Sequence, residues 1–233
     1  MSRIKTVAAI AFFLCSALAN ADVISIPIAH LQEARFTDGY KKTMLISLQG
    51  YIKVGDATFK SEVVSRSLPA KVVTEDGKNY LKVSMVGQAV SDGEKIDSSG
   101  YVLVNKDSLR AVKTVMANGE VTVYRMTKNY PERMQVGSKE LISKSDSYES
   151  SNLMVPSYKT NEILTLERVN GEKDLYELCE TDYDYGKDSA YKKVQSESSS
   201  CFIIDGLGEL KGYAMLILND KSRATYQGTI RTE

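Results

Sequence analysis

The chain lacks several residue types that particular function classes need. Its 233 residues include no tryptophan, one histidine and three cysteines. So few histidines and cysteines leave little room for a zinc site or for histidine-based catalysis. Basic and acidic residues number 30 each, so the net charge is +0. A nucleic-acid-binding protein needs excess positive charge to displace counterions from phosphates, and the balance here argues against that class.

The first 21 residues have the pattern of a secretory signal peptide. Arg3 and Lys5 form a positive n-region, residues 6–18 form an apolar run, and Ala19-Asn20-Ala21 supplies the small residues that a signal peptidase recognises. The apolar run is shorter than the ~20 residues that cross a bilayer, and no later stretch is apolar enough. The sequence therefore predicts cleavage before Asp22, a soluble periplasmic or secreted protein, and a single domain over residues 22–233.

Cleavage would leave two cysteines, Cys179 and Cys201. An even number of cysteines in an oxidising compartment predicts a disulfide, and their spacing differs from the Cys-x-x-Cys pattern of redox pairs. The bond would close a loop over residues 180–200 that is rich in serine, tyrosine and acids. Closing a loop of this length implies a stabilisation of about 3 kcal/mol.

The pattern of residues 22–233 is typical of an all-β protein. Dipeptides suited to tight hairpins punctuate the chain at Asp76-Gly77, Asp92-Gly93, Asn118-Gly119, Asn170-Gly171 and Asp205-Gly206. Alternating or β-branched runs suggest strands at residues 44–48, 81–85, 101–105, 109–115, 121–124, 163–169, 175–179, 201–204, 212–218 and 224–230. About ten strands joined by short turns predict an antiparallel meander. Such a sheet can bury its apolar face as a curved half-barrel, a barrel or a sandwich.

Two segments interrupt the strand pattern. Residues 28–35 are compatible with a short amphipathic helix, which favours a curved sheet with a helical plug. Residues 143–161 contain six serines, an asparagine and a proline before they end at Asn161, which is typical of a loop. This segment is predicted to be a connector, and a two-lobe division of the domain at this point remains open.

Few residues stand out as chemistry-bearing. His30 is the only histidine and has no nucleophile signature near it, so it is interpreted as a surface residue, and no catalytic residue is assigned. Asp182, Asp184 and Asp188 offer hard oxygen ligands at calcium-like spacing, although Lys193 occupies the position of the closing carboxylate. Calcium is therefore the one cofactor that the sequence suggests, against the alternative of a solvated acidic loop.

Tyrosine is abundant, with 14 residues against 5 phenylalanines. Four of these side chains, Tyr176, Tyr183, Tyr185 and Tyr191, surround the acidic segment, and tyrosine is common at recognition surfaces. Tyrosine is also a good strand residue, so a structural role is the alternative.

Three functions remain open on this evidence. The first is a non-enzymatic envelope protein that binds a lipid, an apolar ligand or an envelope component. The second is a surface interaction or adhesion module that uses the tyrosine-rich acidic loop. The third is a secreted hydrolase that uses carboxylates, for which the sequence nominates no pair. The lack of catalytic signatures favours the first.

Overall fold

The described part of the chain is built mostly of antiparallel strands, with 70% of its residues in strands and 3% in helix. The structure is a computed structural model that describes residues 24–33, 41–150, 153–219 and 221–232. The strands are β1 (Ser25–Pro27), β2 (Met44–Val54), β3 (Ala57–Ser67), β4 (Lys71–Glu75), β5 (Lys78–Ser91), β6 (Glu94–Asn105), β7 (Ala111–Met116), β8 (Val121–Thr127), β9 (Arg133–Gln135), β10 (Lys139–Tyr148), β11 (Tyr158–Arg168), β12 (Leu175–Gly186), β13 (Val194–Asp205), β14 (Leu210–Asn219) and β15 (Ser222–Thr232). Helix α1 covers Ala29–Glu33, and a 3-10 helix covers Lys187–Ser189.

Twelve of these strands close into a barrel. The ring runs from β2 through β3, β5, β6, β7, β8 and β10 to β15, and β15 pairs with β2 along its whole length. β4 pairs with the first part of β5, while the second part of β5 pairs with β3 and completes the ring. The predicted all-β meander is confirmed, and among the three architectures left open the barrel is the one observed.

The predicted turn dipeptides all lie in connections between consecutive strands. Gly77, Gly93, Gly119 and Gly171 adopt positive φ in the turns before β5, β6, β8 and β12. The Asp205-Gly206 dipeptide begins the connection between β13 and β14, where the positive φ falls on Gly208 instead. The glycines allow left-handed turn geometry that matches the strand twist, which is why these dipeptides located the hairpins correctly.

Two predicted loops are largely strand, which corrects the sequence analysis. Most of the predicted connector 143–161 belongs to β10 and β11, which pair from Lys139 opposite Thr165 to Ser147 opposite Tyr158. The predicted disulfide loop 180–200 is a hairpin, because β12 continues to Gly186 and β13 begins at Val194. Both segments are rich in polar side chains that occupy strand positions, so composition alone assigned them to loops.

One end of the barrel is filled by an apolar plug. β1 and β9 form a separate two-stranded sheet, and the short α1 follows β1. Ile26 and Ile28 have no exposed surface and lie in one core cluster with Leu31 and barrel residues such as Leu178. The predicted short helix is therefore present. The predicted signal peptide, residues 1–21, lies outside the described residues.

Candidate functional site

The inner face of β12 changes from apolar to acidic along the strand. Alternate residues of a strand point to the same face, so Leu178, Glu180, Asp182 and Asp184 share the inner side of the barrel. Leu178 is fully buried in the core, Glu180 is 9% exposed, and Asp182 and Asp184 are half-buried. The burial decreases away from the plug, so the barrel is filled at one end and accessible at the other, which we call the mouth.

A cavity of about 310 Å³ occupies the barrel next to this acidic stretch. Its lining consists of four carboxylates and seven hydroxyl side chains: Glu162, Glu180, Asp182 and Asp184, with Thr122, Tyr124, Ser143, Ser145, Ser147, Thr160 and Ser200. The residues come from β8, β10, β11, β12 and β13. This side of the barrel interior, which we call the acidic wall, is thus a nearly continuous surface of oxygen atoms.

Hydrogen bonds hold the acidic wall in place. The hydroxyl groups of Thr160 and Ser196 donate to the two carboxylate oxygens of Asp184, each over 2.7 Å. The buried hydroxyl of Tyr130, from the segment between β8 and β9, donates to Oε1 of Glu180. Hydrogen bonds to both oxygens fix the orientation of the Asp184 carboxylate, which preorganises the site.

Two carboxylates of the wall lie opposite each other on neighbouring strands. Glu162 of β11 pairs in register with Asp182 of β12, and both side chains line the cavity. The pair offers a bound cation carboxylates from two neighbouring strands.

The strands that continue the ring beyond β13 place apolar residues on the inner face. Through the register of β14 and β15, Ser200 is aligned with Met215 and Tyr226, and Ser198 with Ile217 and Ala224. The side chains of Met215 and Ile217 pack against the hydrophobic core. The barrel interior therefore combines the acidic wall with an apolar wall.

The predicted disulfide is present and lies on the outside of the barrel. Cys179 and Cys201 are directly opposed on β12 and β13, with their Cα atoms 4.0 Å apart. The next outward pair, Thr181 and Ser199, is joined by a hydroxyl hydrogen bond of 2.9 Å. The four side chains line an outer groove of about 520 Å³. The disulfide fixes the register of β12 and β13. The inner faces of these two strands carry Glu180 and Ser200, which line the cavity.

The four tyrosines predicted as a recognition surface are divided between environments. Tyr176 is 4% exposed and belongs to the core cluster. Tyr183 lies on the outer face of β12, where burial, with the nearby Glu197 and Tyr185, raises its pKa above the ordinary value. Tyr185 and Tyr191 both line an outer depression of about 610 Å³.

That outer depression contains a charged pair. Asp146 is buried, and its carboxylate accepts a hydrogen bond from Nε of Arg125. The hydrogen bond and the charge of Asp146 raise the pKa of Arg125. The ammonium group of Lys159 lies 4.5 Å from the ring centre of Tyr191. Arg125, Asp146 and Lys159 therefore have partners within the depression itself.

The remaining predicted site residues are separated. Asp182 and Asp184 face the cavity, whereas Asp188 lies in the 3-10 helix that follows β12. Within the described ranges, no group of three or more histidine, cysteine or acidic side chains is arranged to hold a metal ion. His30 lies at the plug, where its Nε2 is 3.0 Å from the carbonyl oxygen of Gly208.

Sequence reasoning missed Glu162 and the serine and threonine residues of the acidic wall. The signal was present in residues 143–147, where Ser143, Ser145 and Ser147 recur with a period of two. A period of two indicates one face of a strand even when the repeated residue is polar.

Across the part of the chain that the structure describes, no helix has the length and apolar character needed to cross a membrane. Comparison with protein-family models, with curated proteins and with solved structures finds no match.

Proposed function

We propose that this protein is a non-enzymatic binder that takes a small amphiphilic cation into the mouth of its barrel. The observation that carries the proposal is the cavity itself, which four carboxylates and seven hydroxyl groups line. A volume of about 310 Å³ is at the lower end of the range for small-molecule pockets. An ammonium group is a strong donor with no acceptor, and it complements such a lining.

The apolar wall supplies the second half of the specificity. Met215 and Ile217 are not among the residues that line the 310 Å³ cavity, but the register of the sheet aligns them with Ser200, which does line it, and with Ser198. A ligand with both an ammonium group and a hydrocarbon part would satisfy both walls at once. This proposal narrows the lipid or apolar ligand expected from the sequence to one that carries a positive charge.

Isothermal titration calorimetry with three eight-carbon probes tests the charge requirement. We expect octylammonium to bind, and octanol and octanoate to bind more weakly or not at all. Octanoate has the same chain but the wrong charge, so its exclusion isolates the electrostatic contribution. Equal binding of all three probes would mean that only the apolar wall contributes to binding, and the charge requirement would be rejected. Absence of binding by octylammonium would reject the whole proposal.

Variants of β12 locate the binding to the inner face. Asp184→Asn keeps the size of the side chain and removes its charge, and we expect it to weaken octylammonium binding roughly tenfold or more, as for the loss of a charged hydrogen bond. The matched control is Glu177→Gln, because Glu177 is on the same strand with its side chain on the outer face. If both variants weaken binding equally, the site is not inside the barrel.

We further propose that the protein acts outside the cytoplasm. The signal-like pattern of residues 1–21 and the disulfide between Cys179 and Cys201 support this location together. A cavity whose strands are joined by a disulfide suits an oxidising compartment, where the bond persists.

A further inference from the structure

The connection between β10 and β11 carries an exposed apolar tip at the mouth of the barrel. Its side chains Leu153, Met154 and Val155 are 46%, 80% and 52% exposed. Three consecutive exposed apolar residues in a turn are unfavourable in water, and such patches mark interaction sites. Because β10 runs towards the mouth and β11 away from it, the tip projects at the end opposite the plug.

Hydrogen bonds tie the base of the tip to the connection between β12 and β13. The hydroxyl of Tyr191 donates to the carbonyl oxygen of Pro156 over 2.5 Å. The backbone N–H of Lys187 donates to the carbonyl oxygen of Ser157 over 3.0 Å. The N–H of Ser157 in turn donates to the carbonyl oxygen of Ser147 in β10, over 2.7 Å. The apolar side chains are therefore presented on an anchored support.

The support carries three exposed lysines against two acidic residues. Lys187, Lys192 and Lys193 are exposed in the connection between β12 and β13. The acidic residues in the described parts of the two connections are Glu149 and Asp188. Apolar side chains that project beside lysines are the combination that binds an anionic bilayer, because the former enter the interface and the latter meet the headgroups.

We propose that the tip formed by Leu153, Met154 and Val155 inserts into the interface of an anionic lipid bilayer, with the neighbouring lysines at the headgroups. The proposal depends on residues outside the cavity and is independent of the ligand bound there. An anionic bilayer fits the neighbouring lysines better than a neutral one does, and this difference separates it from purely apolar association.

The absence of tryptophan in the chain provides a direct test. Met154→Trp introduces a single tryptophan at the most exposed tip position, and its fluorescence should shift to the blue with vesicles of phosphatidylcholine and phosphatidylglycerol. The control is Leu207→Trp, because Leu207 is 75% exposed in the connection between β13 and β14 at the plugged end. A shift for neither variant, or an equal shift for both, would overturn the proposal.

Vesicle sedimentation measures the two contributions separately. We expect Leu153→Ser combined with Met154→Ser to reduce binding to anionic vesicles roughly tenfold or more, since buried apolar area is lost. Lys192→Glu combined with Lys193→Glu should reduce binding to the same vesicles by at least about fivefold per lysine.

The unsubstituted protein should bind pure phosphatidylcholine vesicles much more weakly than the anionic ones. Equal affinity for both vesicles would overturn the proposal. The proposal would also be overturned if the protein bound no vesicles but formed a dimer, observed by sedimentation velocity, that Met154→Ser dissociates. The tip would then contact a second copy of the chain. Unchanged thermal unfolding of the variants verifies that each is folded.

Discussion

Replacement of Gly208 by alanine tests how the plug is held in the barrel. Gly208 lies in the connection between β13 and β14, with φ +82°. A Cβ atom there would lie 2.3 Å from the backbone carbonyl oxygen of Pro27 and 2.8 Å from Cε1 of His30. The histidine ring can move, but the Pro27 oxygen belongs to the backbone of the plug. Gly208→Ala therefore requires the connection or the plug to shift.

The expected loss has two parts. A left-handed conformation costs an L-residue about 1–2 kcal/mol. Displacement of the plug adds part of the burial free energy of Ile26 and Ile28, each worth ~1.5–3 kcal/mol when fully buried. We expect a total loss of about 2–4 kcal/mol, which lowers the urea midpoint by roughly 1 M or more.

The same connection offers a matched control. A Cβ at Gly206 meets no atom of the described residues within 4 Å, and φ at Gly206 is not positive. Gly206→Ala should therefore change stability by less than about 0.5 kcal/mol. Urea denaturation gives the two midpoints, and hydrogen exchange of residues 24–33 reports whether the plug opens more often in Gly208→Ala. Identical midpoints and identical exchange for the two variants would refute the argument.

Three further predictions concern the disulfide, one ion pair and the N-terminus. Replacing both Cys179 and Cys201 by alanine should lower the free energy of unfolding by about 3 kcal/mol, and a thiol reductant should destabilise the unsubstituted protein equally while leaving the double variant unchanged. Hydrogen bonds from Lys211 and from the backbone hold the pKa of Asp205 below its ordinary value. The contribution of Asp205 to stability is therefore present above the unfolded pKa of about 4 and is lost as the pH falls through the folded pKa. When the urea midpoint is measured at decreasing pH, it should fall less for Asp205→Asn than for the unsubstituted protein. The intact mass of protein exported by its host should match a chain that begins at Asp22, and a mass that includes residues 1–21 would contradict the predicted signal peptide.

The strands and turns were readable from the sequence wherever apolar residues alternate beside Asp-Gly or Asn-Gly. The end of β12 was not readable in this way, because there the polar side chains face the interior and the aromatic ones face outwards. Tyr183 and Tyr185 point outwards while Asp182 and Asp184 point into the barrel. Sequence reasoning assumes that apolar side chains face the interior, so this stretch was interpreted as an acidic loop.

Closure of the barrel and assembly of the cavity could not be predicted from the sequence either. Alternation identifies one buried face but is the same for a sandwich, a half-barrel and a barrel. The acidic wall combines Glu162 with residues of four other strands, and their proximity depends on the register of pairs such as Glu162 opposite Asp182. Neither bulges nor register shifts, such as the one between Leu141 and Ser143, have a reliable signal in a single sequence.

The pairing of β15 with β2 sets the order in which the barrel can form. Almost every other neighbouring pair in the ring joins strands that are adjacent or nearly adjacent in the chain, and such pairs can assemble locally. The last pair joins the two ends of the sheet across nearly the whole chain, so it carries the largest loop-closure entropy. A nascent chain that still lacks the 11 residues of β15 has an unpaired edge on β14 and another on β2, next to the apolar wall. Addition of this one strand covers both edges, so an open sheet able to recruit other chains becomes a closed ring.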